Sequence, residues 1–158
     1  MIETTPADLR AALGVERWVA DVASQSPFDS LETLLAVARS AATPLAPEEI
    51  DEAMAHHPRI GERPVGQGAA QSFSRAEQAS SDADDADVNA AIAAGNAQYE
   101  AVFGRVFLIR AAGRTRAEIL SEQRRRMELD PAEELQIVGE QLRDIALLRL
   151  EKLYEGES

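Results

Sequence analysis

Two histidines, His56 and His57, stand immediately before Pro58 and the stretch PRIGERPVGQGAAQSF, which holds three glycines and two prolines. Ile50, Met54 and His57 follow i, i+4, i+7 spacing. A helix running up to Pro58 therefore turns His57 toward its apolar face and His56 away from it. Proline disfavours helical geometry at the residue before it, so the helix is expected to stop at His57, beside a long loop. An inward histidine is as a rule a hydrogen-bonded core residue. A role in proton transfer, for which an imidazole near neutral pKa is suited, requires partners.

The C-terminal part of the chain offers one partner. Leu135, Val138, Leu142, Ile145, Ala146 and Leu153 make one apolar stripe at helical spacing, and Arg149 lies within it. A guanidinium on a buried face is costly unless it is paired or faces a polar cavity. It serves either a structural ion pair or an anion clamp, since arginine holds carboxylates through two parallel hydrogen bonds. Ser74 and Glu77 have capping-box spacing, with Gln78 following. A capping box accounts for the first two by itself, yet a helix start also presents N–H groups to an anionic ligand. Metal and covalent chemistry find little support. The two histidines are adjacent, the carboxylates lack ligand spacing, there is no cysteine, and Ser74 has no evident triad. No metal site is expected.

The positioning elements are legible from helix punctuation. Thr5 precedes Pro6 as an N-cap, and Gly14 reads as a stop. Asp29 and Glu32 have capping-box spacing ahead of LETLLAVARSAA, and Pro47 opens the helix that leads to His57. The acidic SSDADDAD stretch is an exposed entry to a helix expected from about Asp85 to Gly104. Within it Ile92, Asn96, Tyr99 and Phe103 share a face, which fits a helix–helix contact containing one buried amide. RVFLIRAAG is too short and apolar for an amphipathic helix and is expected as extended chain or a distorted helical piece. Thr115 and Glu118 cap the next helix, which carries Arg124, Arg125 and Arg126. These three cannot all face one way and are expected to be solvated or matched to nearby acids. Asp130 and Pro131 start a last helix reaching about Tyr154. No stretch alternates long enough to build a sheet, so the expected fold is all-α. It is an irregular bundle of about seven helices in a single domain spanning 1–158.

Composition sets outer bounds. The chain has 158 residues, 28 acidic against 16 basic, and a net charge of −12. Such a balance argues against nucleic-acid binding, which needs a basic footprint, while a locally basic pocket for an anionic substrate stays compatible with it. The N-terminus lacks the pattern of a signal peptide and no apolar run approaches a bilayer span, so a cytoplasmic location is expected, with no membrane partner.

The ordered set HHPRIGERP, SFSRAEQ, GNAQYEAVFGRVFLI and IALLRL resembles the 2-oxo-4-hydroxy-4-carboxy-5-ureidoimidazoline (OHCU) decarboxylases, over nearly the whole chain. The resemblance implies an all-helical homodimer without metal or organic cofactor. Its substrate would be a small ureidoimidazoline, from which it would remove CO2 to give one stereoisomer of allantoin. It further implies His57 as acid/base, with Glu77 and Arg149 beside it. Pro58, Ser74 and Gln78, and the backbone of Phe107, Leu108, Ile109, Arg110 and Ala111, would meet the substrate. The chain departs from the family at Arg105, where an aromatic residue is frequent, at Arg59 and at Asp130. A non-enzymatic acidic helical interaction domain would account for the charge and the helices, but not for an arginine centred on an apolar stripe. An acid/base enzyme acting on another ureide differs from this reading only in pocket shape.

Overall fold

The computed structural model of the protein describes residues 1–55 and 79–156. Among the described residues the chain forms seven helices and no strand: α1 Pro6–Ala12, α2 Glu16–Ala23, α3 Leu31–Ala41, α4 Pro47–Met54, α5 Ala86–Phe103, α6 Arg116–Arg126 and α7 Pro131–Tyr154. The only β-type pairing in this part is an isolated antiparallel bridge between Ile2 and Phe28. No helix among the described residues is long and apolar enough to cross a membrane.

Most boundaries follow from capping chemistry. Thr5 accepts from the Asp8 amide at the start of α1, with Pro6 at the first helical position. Asp85 accepts from the amides of Asp87 and Val88, and α5 ends on Gly104 in the left-handed region at φ 73°, where a side chain would be strained. Thr115 and Glu118 form a reciprocal capping box on α6, and Asp130 accepts from the Glu133 amide at the start of α7. Two starts or stops differ from expectation. Ser30, not Asp29, caps α3, because its hydroxyl reaches the Thr33 amide at 3.1 Å. Helix α4 closes at Met54, with Ala55 as its C-cap, three residues short of His57.

The chain packs as two compact units, one made of residues 1–56 and 139–158, the other of 57–138. Helix α7 contributes its first two turns to the second unit and the remainder to the first. The first unit buries Leu9, Leu13, Trp18, Val22, Leu34 and Ile50 together with Leu142, Ile145 and Leu150. Trp18 satisfies its indole N–H on the Ala38 carbonyl at 3.0 Å, so the largest side chain of this core carries no orphan donor. On the surface of this unit Arg17 grips both oxygens of Glu49, at 2.7 and 3.1 Å, and also bonds Asp21 and the Ala41 carbonyl.

The second unit is centred on Ile92, Tyr99, Phe107, Ile109, Ala111 and Ile119. The face of α5 read from the sequence is the one buried. Asn96 is its buried amide, accepting from Gln123 Nε2 of α6 at 2.8 Å. Residues 106–111 form neither helix nor strand and run as irregular chain after α5.

Candidate active site

Arg149 and residues 107–111 fall within the described chain. His57, Pro58, Ser74, Glu77 and Gln78 lie outside the described residues, as do His56 and Arg59.

Arg149 sits on α7 in the first unit with only 4% of its surface exposed, amid buried Ile145, Ala146 and Leu150. The inward phase read from the stripe is thus correct. Its Nη1 donates to the Ala11 carbonyl at 3.0 Å. That carbonyl belongs to the last turn of α1, where carbonyls lack intrahelical donors and carry the negative end of the helix dipole. Near the end of the same helix, Tyr154 donates to Asp8 at 3.1 Å.

In the second unit, Phe107, Leu108 and Ile109 are 0, 3 and 2% exposed. Their amide N–H groups donate to no partner among the described residues. Buried backbone donors are ordinarily paired, which sets this stretch of irregular chain apart. The stretch is held at both ends. Gly104 turns the chain out of α5, and Arg114 donates from Nε to the Arg110 carbonyl and from its amide to the Ala111 carbonyl, at 2.9 and 3.0 Å.

Beneath this stretch lies a charged cluster that sequence reasoning missed. Arg126 and Glu134 form an ion pair with both side chains at 0% exposure. Arg126 Nε donates to both Glu134 oxygens at 2.9 and 3.1 Å, and Nη1 donates to the Leu108 carbonyl at 2.7 Å. Tyr99 donates its hydroxyl to Glu134 at 2.6 Å. Burial, and then the bond to Glu134, push that hydroxyl up to about 12, which keeps it a donor. The expectation that Arg124, Arg125 and Arg126 are solvated or matched to nearby acids holds for all three. Arg124 and Arg125 are exposed, and Arg125 pairs with Glu122. Arg126 is matched to Glu134, and what the expectation lacked is that this pair is buried. The available signal was its phase, since Ile119, Gln123 and Arg126 share one face of α6 at i, i+4, i+7 and all are buried.

An open groove between α2 and α3, lined by Asp21, Ser24, Gln25, Val37 and Ser40, contains none of the residues singled out from the sequence. Its one carboxylate, Asp21, is paired with Arg17. Among the described residues no three His, Asp or Glu side chains gather in a way that could hold a metal ion.

The family model described as OHCU decarboxylase matches residues 3–151. A solved structure, described as a crystal structure of OHCU decarboxylase in the presence of (S)-allantoin, is similar to this chain at 28% identity. The match covers 93% of this chain and 96% of that one, with a TM-score of 0.75. No curated protein matches the chain.

Proposed function

The chain belongs to the OHCU decarboxylase family, carboxy-lyases of urate degradation, and from this premise we propose which residues perform the reaction and that the product is (S)-allantoin. Decarboxylation breaks the bond between the ring and its carboxyl group. CO2 leaves and its bonding electron pair stays on the ring, where the imidazole-derived system delocalises it. The enzyme then has two tasks: to stabilise that charge as it develops, and to deliver one proton to one face of the ring.

His57 is the proton carrier, because an imidazole titrates near neutral pH. Glu77 orients His57 or steers the substrate hydroxyl. Arg149 holds the anionic or ureido end of the substrate through its planar fork, with Pro58, Ser74 and Gln78 shaping the rest of the site. Residues 107–111 meet the ring and ureido groups through their backbone. The observation that supports this reading most directly is the buried run of open amides at Phe107, Leu108 and Ile109. A ureido group carries both a carbonyl and N–H groups, so main-chain donors and acceptors suit it better than side-chain charges do. The reaction uses no cofactor, and the enzyme acts as a cytoplasmic homodimer.

The test is a coupled assay. Urate oxidase and hydroxyisourate hydrolase generate fresh substrate, and the circular dichroism of allantoin reports enzymatic turnover over spontaneous decay. His57→Asn should abolish the enzymatic signal with helicity unchanged. Near wild-type turnover in that folded variant would return His57 to a core role. Light scattering on the same samples tests the dimer.

A further inference from the structure

Arg126 contacts the irregular stretch by two different forces. Its Nη1 donates to the Leu108 carbonyl at 2.7 Å, and its guanidinium lies 4.7 Å from the centre of the Phe107 ring. Its remaining edge is occupied by Glu134, which also receives the Tyr99 hydroxyl. Tyr99 in turn packs edge-on to Phe107 at 5.2 Å between ring centres. The stretch has no ladder of its own, so this cluster fixes its backbone.

Stability alone is a weak reason for such a cluster. Replacing a buried ion pair by well-packed apolar residues of similar volume is often neutral or stabilising. What an apolar pair cannot do is set the direction of a peptide plane. A trans peptide is planar, with its C=O and the following N–H pointing to opposite sides. Anchoring the Leu108 carbonyl on Arg126 therefore turns the Ile109 N–H away from the ion pair. That N–H is one of the open amides, in a residue only 2% exposed.

We infer that Arg126 is a positioning residue, which aims the Ile109 N–H at a polar acceptor of the ureidoimidazoline substrate by holding the Leu108 carbonyl. The inference rests on the reading of residues 107–111 as a substrate-facing backbone. Glu134 and Tyr99 serve it by fixing the guanidinium plane. Arginine is required because one planar fork must satisfy a carboxylate and a carbonyl at once, which an ammonium cannot do in the same geometry.

Two folded variants test this. In Arg126→Met/Glu134→Leu the whole pair becomes apolar, so no buried charge is left uncompensated. In Arg126→Lys the charge facing Glu134 is kept while the fork is lost. Each is assayed by the coupled reaction, and the Ile109 amide is followed by NMR hydrogen exchange with and without (S)-allantoin. The wild-type amide should slow on adding (S)-allantoin. Both variants should lose that protection and fall in kcat by about ten- to a hundredfold, the scale expected of a small misplacement at a reacting site. A folded variant with kcat within about twofold of wild type and normal protection would overturn the role of Arg126 alone. An unprotected Ile109 amide in the wild type would overturn the backbone reading and this inference with it, leaving the decarboxylase activity intact. If the double variant fails to fold, Arg126→Lys decides by the same two readouts.

Discussion

Arg149 reaches across 138 residues of sequence to donate from Nη1 to the Ala11 carbonyl, at 3.0 Å. The bond couples the candidate substrate clamp to the C-terminal turn of α1 and gives Arg149 a structural task. A cation at a helix C-terminus contributes about 0.3–1 kcal/mol. Leucine suits the surrounding stripe, so Arg149→Leu should lower the melting temperature by only about 2–4 °C. Its kcat/KM should fall about tenfold or more, the worth of one charge-assisted hydrogen bond of ~1.5–3 kcal/mol. Arg149→Lys should recover part of it. A large drop in melting temperature with normal specific activity would refute the clamp.

Gly95 and Gly139 should respond oppositely to alanine. A Cβ at Gly95 would sit 1.9 Å from Gln123 Oε1 and 2.5 Å from its Cδ. Gln123 is buried and tied to Asn96 and to the Ile92 carbonyl, so it cannot simply swing aside. Overpacking of about 1–3 kcal/mol then outweighs a helix-propensity gain of about 1 kcal/mol, and Gly95→Ala should destabilise. At Gly139 the nearest atom to such a Cβ is Ile50 Cδ1 at 3.4 Å, an ordinary contact. Gly139→Ala should keep the propensity gain and be neutral to stabilising by up to about 1 kcal/mol. Urea titrations of both variants check the pair, and a stabilised Gly95→Ala protein would contradict the packing described here.

Asp82 ties α6 to a residue 34 positions earlier. Its two oxygens accept from the amides of Arg116 and Ala117 at 2.6 and 3.0 Å, and Ser80 adds a bond at 2.9 Å. The Arg116 amide is the first cause holding this carboxyl below its usual range. A folded-state pKa below the unfolded value gives stability that is present above about pH 4 and lost as pH falls through the folded value. Asp82→Ala should thus be less stable than wild type at pH 7, and the difference should shrink by pH 3. Urea midpoints at the two pH values measure it; a constant difference would show that the bonds act independently of the charge.

Turnover in the coupled assay should survive EDTA added after substrate has been generated. The expectation rests on the residue types available, since the chain has no cysteine and its two histidines are adjacent. Activity lost on chelation and restored by one divalent ion would require a metal site.

Sequence determined what short-range chemistry can determine. Thr5, Asp85, Gly104, Thr115 and Asp130 mark helix ends because each acts on amides or backbone angles within about three residues of itself. The stripe on α7 turned Arg149 inward because helical period alone fixes a face. The apolar stretch after Gly104, expected as extended chain or a distorted helical piece, runs as irregular chain. The same reasoning overran at α4, since a proline at position 58 limits how far a helix can go but not how early it stops. The roles of His57, Pro58, Ser74, Glu77 and Gln78 came from resemblance, and these residues lie outside the described chain. Tertiary structure alone decided which charges have partners. Period puts Arg126 on the face of Ile119, but nothing local says that Glu134 and the Leu108 carbonyl meet it there, or that Ala11 meets Arg149 and Asp82 meets α6. A charge can be buried only where packing delivers its partner, and the identity of that partner is a property of the packed chain, set by contacts far apart in sequence.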